Sequence, residues 1–136
     1  MKRIFVDTSA LVALKDSGAR HHTQALEAFE AHHAAQFVLT NYLVSEIHAY
    51  FCRTPTVALE YVDHLLSPPA FRVVRAMGRD ERRALEILRG GRDKTYSYAD
   101  AVSFAVMERL GLRTVFSFDR HFSQHGRWRV VPEGRP

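Results

Sequence analysis

Four carboxylates spread along the chain are the residues best suited to chemistry: Asp7, Glu46, Asp100 and Asp119. Carboxylate oxygens gathered at one place are the ligands that hard divalent cations such as Mg²⁺ and Mn²⁺ prefer. An ion bound there lowers the pKa of a water molecule and neutralises charge that builds up on a phosphoryl oxygen. The four acids therefore predict metal-assisted phosphodiester hydrolysis, with either one ion or two, provided that the fold brings them together.

The elements that must position these acids follow from short apolar runs that alternate with helical periodicity. The runs predict strands at residues 2–6, 37–39, 71–74, 114–118 and 128–131. The periodic segments predict helices at residues 10–15, 20–34, 42–53, 56–66, 80–89 and 97–110. Such alternation is typical of parallel strands joined by right-handed crossovers. We therefore expect an α/β fold, a three-layer α/β/α sandwich around a short, mainly parallel central sheet of four or five strands.

The carboxyl ends of parallel strands share one edge of the sheet, and ligand sites form beyond that edge. Asp7 directly follows the first strand, and Asp119 directly follows the strand that is predicted to end at Phe118. Helices that run antiparallel to the strands begin at the same edge. Glu46 and Asp100 lie in the first turns of two such helices, so all four carboxylates are expected at one edge.

Three of the acids also have a simple structural explanation. Asp7 and Asp119 stand where an N-cap is expected, and Asp100 follows Ser97 at the spacing of a capping box. Taken singly, each of the three is explained by capping at least as well as by metal binding. Glu46 differs, because apolar residues surround it on its predicted helix and a buried carboxylate needs a compensating partner. Repulsion among four acids strengthens the expectation of a shared cation.

Length and composition restrict the class of protein. The chain has 136 residues, 46% of them hydrophobic, which predicts a single domain over residues 1–136 with a loose tail ending at Pro136. The single cysteine, Cys52, cannot form an internal disulfide, and no apolar stretch approaches membrane-spanning length. We therefore expect a cytoplasmic protein with no membrane association.

Basic residues are concentrated in the second half of the chain. Residues 69–136 hold fourteen Lys and Arg against eight Asp and Glu, whereas residues 1–68 hold five against seven. Most of these cations are arginines, whose planar guanidinium suits contacts with phosphate. A solvated surface explains the same composition equally well, so charge only supports a nucleic-acid partner.

A basic segment lies just before Asp100 and carries Arg89, Arg92, Lys94 and Tyr96. Cations interleaved with an aromatic ring are suited to single-stranded RNA, where the ring stacks on a base. A flexible, solvated loop has the same composition. Both interpretations stand at this point, and only the proximity to Asp100 favours RNA binding.

The eight histidines do not form a convincing metal site. His121 and His125 are four residues apart, but Asp119 is the only carboxylate near them in the sequence. Zinc sites in proteins need several well-placed His or Cys ligands. We therefore expect the histidines to be solvated or to pack, and the metal site to use oxygen ligands alone.

Four ordered fragments make the chain resemble the PIN-domain family, and within it the VapC-type toxins of toxin–antitoxin pairs. The fragments are Phe5-Val6-Asp7-Thr8-Ser9-Ala10-Leu11, Thr40 through Glu46, Tyr98-Ala99-Asp100-Ala101 and Phe116-Ser117-Phe118-Asp119. Each fragment is weak alone, but their order and spacing over the whole chain form a fairly specific signature.

This resemblance implies a PIN fold and an Mg²⁺- or Mn²⁺-dependent endoribonuclease. It assigns catalysis and metal binding to the acidic quartet, defined as Asp7, Glu46, Asp100 and Asp119. It gives supporting hydroxyls to Thr8, Ser9 and Ser117, although the family commonly has Thr where Ser117 stands. It also implies an RNA substrate, a homodimer, and a small cognate antitoxin that covers the site.

Other functions are compatible with the same residues. A non-catalytic PIN-like module could bind RNA or a partner protein and use the acids as caps. A PIN nuclease that processes RNA without being a toxin would share every motif. A phosphatase with an aspartyl nucleophile at Asp7 is disfavoured, because Ser9 stands where such enzymes usually have a second acid.

Overall fold

The computed structural model describes residues 2–126 and 128–133. Its centre is one five-stranded sheet in which all neighbouring strands are parallel, in the order β3-β2-β1-β4-β5. The strands are β1 Arg3–Val6, β2 Gln36–Thr40, β3 Phe71–Val74, β4 Thr114–Phe116 and β5 Arg129–Val131. The expected parallel sheet of four or five strands is confirmed, with five.

Helices fill the connections between the strands and form the outer layers of the α/β/α sandwich. They are α1 Thr8–Lys15, α2 His22–Ala31, α3 Asn41–Phe51, α4 Pro55–Leu65, α5 Gly78–Gly90, α6 Tyr98–Leu110 and α7 Arg120–His125. None of the helices described is both long and apolar enough to cross a bilayer.

The order of the strands reverses at β1, and this reversal determines where a site can form. The chain builds β1, β2 and β3 outward in one direction, then returns to place β4 on the other side of β1. Right-handed crossovers put the helices of the two halves on opposite faces of the sheet, which opens a crevice at the carboxyl ends of β1 and β4. Asp7 follows β1 and Asp119 follows β4 by three residues.

The core lies on both faces of the central strands. Ile4, Phe5 and Val6 of β1 are fully buried, as expected for a strand covered by helices on each side. The middle of helix α6, residues 101 to 107, is buried on all sides of the helix. The apolar character of α6 thus reflects its position inside the protein, and its N-terminal turn is the part that reaches the sheet edge.

The structure differs from the sequence-based boundaries at the end of β4. The predicted strand continued to Phe118, but β4 ends at Phe116, and the N–H groups of Phe118 and Asp119 are bound by the hydroxyls of Ser9 and Ser117. Helix α7 was not predicted from the sequence. Phe122 is the only buried residue among its six, so the segment shows no apolar periodicity typical of a helix. The tail expected to be loose, at residues 134–136, lies outside the described residues.

Candidate active site

Asp7 ends β1 and caps helix α1, and its carboxylate is almost completely buried, with 4% of its surface exposed. Its Oδ1 accepts hydrogen bonds from the Ser9 hydroxyl at 2.7 Å and from the Ala10 N–H at 3.2 Å. Its Oδ2 accepts from the Ser117 hydroxyl at 2.8 Å. The expected N-cap is therefore present, but the carboxylate also faces the end of β4.

Burial raises the pKa of Asp7 to about 7 from its usual 3.8, because the charged form loses its hydration. The hydrogen bonds from Ser9, Ser117 and Ala10 act in the opposite direction, and the nearby charge of Asp119 raises the pKa further. In the part of the chain that the structure describes, no Lys or Arg pairs with Asp7. Asp7 is a buried carboxylate whose charge lacks a cation.

Asp100 and Asp119 converge on the same histidine from two helix N-termini. Asp100 forms the expected capping box with Ser97, and Asp119 caps α7 through the N–H of His121. The imidazole Nδ1 of His121 lies 3.0 Å from Asp100 Oδ2 and 3.3 Å from Asp119 Oδ1. One potential ligand atom from each of the three residues lies within 4.8 Å of the others.

The expectation that no histidine joins the site was wrong for His121. Its Nε2 lies 3.1 Å from the Thr95 hydroxyl, and its ring packs edge-to-face on Tyr96. His121 lies two residues after Asp119, the N-cap of α7, and its side chain points back toward that cap. This orientation brings its imidazole within reach of Asp100. The sequence would have indicated that His121 faces the site only if α7 had been predicted, because the helix sets the direction of a side chain two residues after its cap.

His125 follows the expectation, because it stacks on the ring of Phe104 with centroids 4.4 Å apart. Burial lowers its pKa, which is consistent with a neutral ring packed in the core. The two histidines of α7 therefore have different environments, although they stand only one helical turn apart.

Glu46 lies on α3 and forms another part of the site wall. Its Oε1 accepts a 2.5 Å hydrogen bond from the Thr8 hydroxyl. The sequence suggested that apolar neighbours enclose this carboxylate, but Glu46 is only half-buried, and Ala49 and Tyr50 beside it are exposed. That interpretation was wrong because the apolar face of α3 is covered only around Leu43 and Ile47. Asp7 is the carboxylate that lacks compensation.

Two serine hydroxyls connect the ends of β1 and β4. Ser9 donates to Asp7 and accepts from the Phe118 N–H at 2.8 Å, while Ser117 donates to Asp7 and accepts from the Asp119 N–H at 2.9 Å. The two hydroxyl oxygens are 3.5 Å apart. Because Ser117 is completely buried, this network fixes Asp7 relative to the segment that carries Asp119.

All four acids of the quartet line one open cleft of about 900 Å³ at this edge of the sheet. Thr8, Ser9 and His121 line it as well. Carboxylate oxygens with an adjacent imidazole are a donor set that suits Mg²⁺ and, because of the nitrogen, Mn²⁺. The buried and uncompensated charge of Asp7 is the observation that a bound divalent cation fits.

The basic loop predicted from the sequence, residues 89–96, reaches this cleft only through Thr95. Arg89, Arg92 and Lys94 are exposed, and none of them lines the cleft. Lys94 pairs with its neighbour Asp93 at 2.7 Å. The ring of Tyr96 packs edge-to-face on Phe104 and on His121, so it is engaged within the protein.

The fold agrees with comparisons to known proteins. The family model of the PIN domain matches residues 4–127. The chain belongs to the PIN-domain family. The 23S rRNA-specific endonuclease VapC20 of Mycobacterium tuberculosis is 32% identical to this PIN domain over 132 residues, which cover 96% of this chain and 99% of VapC20. This relationship groups the PIN domain with the VapC-type endonucleases.

Solved structures show the same fold. The crystal structure of M. tuberculosis VapC20, described as a Sarcin-Ricin loop cleaving toxin, has a TM-score of 0.84 and 30% identity, covering 90% of this chain and 95% of that one. DNA-bound VapBC from Salmonella typhimurium has a TM-score of 0.71 and 16% identity, covering 96% of this chain and 97% of that one. VapBC2 from Rickettsia felis, bound to a promoter fragment, has a TM-score of 0.68 and 10% identity, with coverage of 94% and 96%. At these low identities the last two show only the fold.

Proposed function

We propose that this PIN domain is a metal-dependent endoribonuclease that hydrolyses RNA phosphodiester bonds at the acidic quartet. The buried carboxylate of Asp7 carries this proposal. Its pKa is raised to about 7 by burial, and Asp119 faces it across the cleft. An arrangement that places unpaired acids together costs folding free energy, so a cation that neutralises them explains why the arrangement exists.

Mg²⁺ or Mn²⁺ would be held by the quartet, Asp7, Glu46, Asp100 and Asp119, whose side chains line the same cleft. When bound, such an ion supplies an acidified water and neutralises charge on the phosphoryl oxygens. Ser9 and Ser117 would hold the Asp7 carboxylate in place by donating to its two oxygens.

The remaining polar neighbours would orient the other acids. The Thr8 hydroxyl holds one oxygen of Glu46, and the His121 imidazole lies between Asp100 and Asp119. Mutation of groups that orient the ligands of a metal commonly lowers the affinity for the metal, or the activity, about 10- to 100-fold. Thr8, Ser9, Ser117 and His121 are therefore proposed as supporting residues of the site.

The likeness to VapC20 supports an RNA substrate and the role of a toxin. VapC20 is named a 23S rRNA-specific endonuclease and a Sarcin-Ricin loop cleaving toxin. We extend the chemical class, RNA, to this chain, together with a cytoplasmic location, a single domain over residues 1–136, a homodimer and a small antitoxin that covers the cleft. Arrest of growth on expression, relieved by coexpression of a neighbouring small reading frame, would test the toxin role.

The central test compares Asp7→Asn and Asp100→Asn with the matched variant Asp63→Asn, which changes an exposed acid on α4. RNA cleavage should require Mg²⁺ or Mn²⁺ and stop with EDTA. Both quartet variants should lose at least about 100-fold in rate, while Asp63→Asn keeps the wild-type rate. Wild-type turnover by both quartet variants would refute the assignment.

A second candidate, a non-catalytic binding module, is favoured by the capping hydrogen bonds of Asp7, Asp100 and Asp119. Caps alone would explain these three positions without any ion. Calorimetric titration with Mn²⁺ separates the two functions. A quartet that serves only as caps should show no saturable binding, whereas the nuclease should bind Mn²⁺ and lose that binding in Asp7→Asn.

A further inference from the structure

The cleft over the quartet overlaps a second open groove of about 780 Å³ and shares most of its lining residues. We call this the lateral groove and define it by four of its lining residues, Arg20, His21, Phe118 and Arg120. The two cavities share Ser9 and Asp119, among other lining residues, so they form one continuous surface. A chain bound over the quartet would run directly into the lateral groove.

Positive charge in the cleft and the lateral groove comes from Arg20 and Arg120, the only Arg or Lys among the described residues that line them. Arg20 and Arg120 are both exposed, and no ion pair is found for either in residues 2–126 and 128–133. Among the described residues that line the main cleft, Arg20 is the single Arg or Lys.

The lateral groove also contains a flat aromatic surface. The rings of His21 and Phe118 are stacked, with centroids 4.6 Å apart and planes 3° from parallel. Phe118 packs edge-to-face on Phe116 of β4, which ties the stack to the buried sheet. Both stacked residues are only half-buried. A stack held in this way presents a preformed surface against which a nucleobase can lie.

The chemistry of the quartet explains why a substrate needs these cations. Acidic side chains repel the phosphates on either side of the bond that is cut, and a metal at the quartet compensates only the charge close to it. Flanking phosphates require separate cations, and arginine suits them because its guanidinium can make two parallel hydrogen bonds. Among the described residues that line the two cavities, Arg20 and Arg120 supply such cations.

We propose that the lateral groove binds the nucleotide adjacent to the cleaved phosphate of a single-stranded RNA segment. Arg20 and Arg120 contact its phosphates, and its base lies against the His21–Phe118 stack. The proposal rests on the proposed ribonuclease function and adds the side from which the strand leaves the quartet. It differs from the assignment of RNA contacts to Arg89, Arg92, Lys94 and Tyr96, which is the competing hypothesis.

Photocrosslinking can locate the RNA directly. A single-stranded oligoribonucleotide with one 4-thiouridine would be irradiated with the wild-type protein in EDTA, and the crosslinked peptides identified by mass spectrometry. We expect crosslinks to peptides that contain His21 and Phe118. Crosslinks confined to residues 89–94, none of which lines the cleft or the lateral groove, would overturn the lateral-groove assignment but leave the ribonuclease proposal intact. The absence of any crosslink would contradict both proposals.

Kinetics on matched arginine variants provide the second measurement. Arg20→Gln and Arg120→Gln should each raise the KM for the oligoribonucleotide about 5- to 10-fold and change kcat less than about twofold, because they remove binding away from the reacting atoms. Each should also lower the slope of log KM against log salt by about 0.7, the value for one phosphate contact on a single strand. Arg89→Gln and Arg92→Gln serve as controls and should behave as wild type. The reverse pattern would overturn the proposal.

Discussion

Asp7 and Asp80 are both carboxylates that the fold buries, with 4% and 2% of their surfaces exposed, but they are compensated in different ways. Asp80, in the first turn of α5, receives a two-pronged ion pair from Arg109 of α6, at 2.8 and 2.9 Å, and a hydrogen bond from the Met77 N–H. Asp7 receives only hydroxyl and backbone donors. Asp80 is paired with a cation of the same chain, Arg109, whereas Asp7 has no cationic partner among the described residues.

The pKa values reflect this difference. Burial alone would raise the pKa of Asp80, but hydrogen bonds from Arg109 and Met77 outweigh it and hold that pKa below its usual range. Burial without such a partner raises the pKa of Asp7 to about 7. A paired buried acid serves stability, whereas an unpaired one in a cleft indicates a site for a ligand cation.

Asp80→Ala tests the paired side of the comparison and should cause the largest destabilisation. It leaves the partly buried Arg109 uncompensated, so the free energy of unfolding in urea should fall by about 4 kcal/mol. Arg83→Ala is the control, because its ion pairs with Glu86 and Glu108 are exposed, and it should cost less than about 1 kcal/mol. Equal losses in the two variants would show that burial does not distinguish the pairs.

The Asp80 contribution also has a defined pH window. Its folded pKa is lowered, so the stabilisation is fully present above the unfolded value of 3.8 and is lost as the pH falls through the folded value. Urea denaturation at pH 6 and at pH 3 should therefore show that Asp80→Ala costs less stability at the lower pH.

Asp7→Asn tests the unpaired side, and its effect should have the opposite sign. Between pH 3.8 and about 7 the unfolded chain loses the Asp7 proton and the folded protein keeps it, so rising pH lowers wild-type stability. Without metal at pH 8, Asp7→Asn should increase the free energy of unfolding by about 4 kcal/mol, because asparagine carries no charge and one pKa unit corresponds to about 1.4 kcal/mol. At pH 4 the two proteins should be nearly equally stable. A destabilised variant at pH 8 would contradict the burial argument.

His121→Gln tests whether the imidazole between Asp100 and Asp119 helps to prepare the site for an ion. Removing a group that orients ligands should lower the affinity for Mn²⁺ about 10-fold, measured by calorimetry. His33→Gln, which changes an exposed histidine near the end of α2, is the matched control. Wild-type affinity in His121→Gln would limit this histidine to a structural role.

Ser117→Ala should have the smallest effect of the series. It removes the hydroxyl that donates to Asp7 Oδ2, so the pKa of Asp7 in the metal-free protein should rise by less than about 1 unit. Carboxyl NMR of the aspartates measures this shift. Ser117→Thr keeps a hydroxyl, and we expect it to leave the pKa near the wild-type value. A lowered pKa in Ser117→Ala would contradict the assigned hydrogen bond.

The sequence predicted the layers, the parallel sheet and the edge at which the acids gather, because those follow from alternating periodicities and from strand ends. The caps at Asp7 and Asp100 were also predictable, since capping depends on residues within three positions. The burial of Asp7 was not, because it depends on β4 and on Ser117, 110 positions away.

Local patterns failed where a residue's environment is built from distant elements. Glu46 was expected to be enclosed because helical periodicity counts neighbours on one helix, but it cannot tell which side of α3 the protein covers. His121 was overlooked because α7 is short and has little apolar pattern. The pair of Asp80 and Arg109 joins two helices across 29 positions, and neither residue is conspicuous alone.

The hydroxyl connection between β1 and β4 has a consequence for synthesis of the protein on the ribosome. Ser9 and Ser117 are separated by 108 positions, and β4 occupies its place beside β1 only after β2 and β3 have been made. The cleft is therefore completed only after β4 and the segment that follows it have been made. Nascent and truncated chains that end before Thr114 lack Asp119 and His121, so the proposed site stays incomplete until both residues have been made.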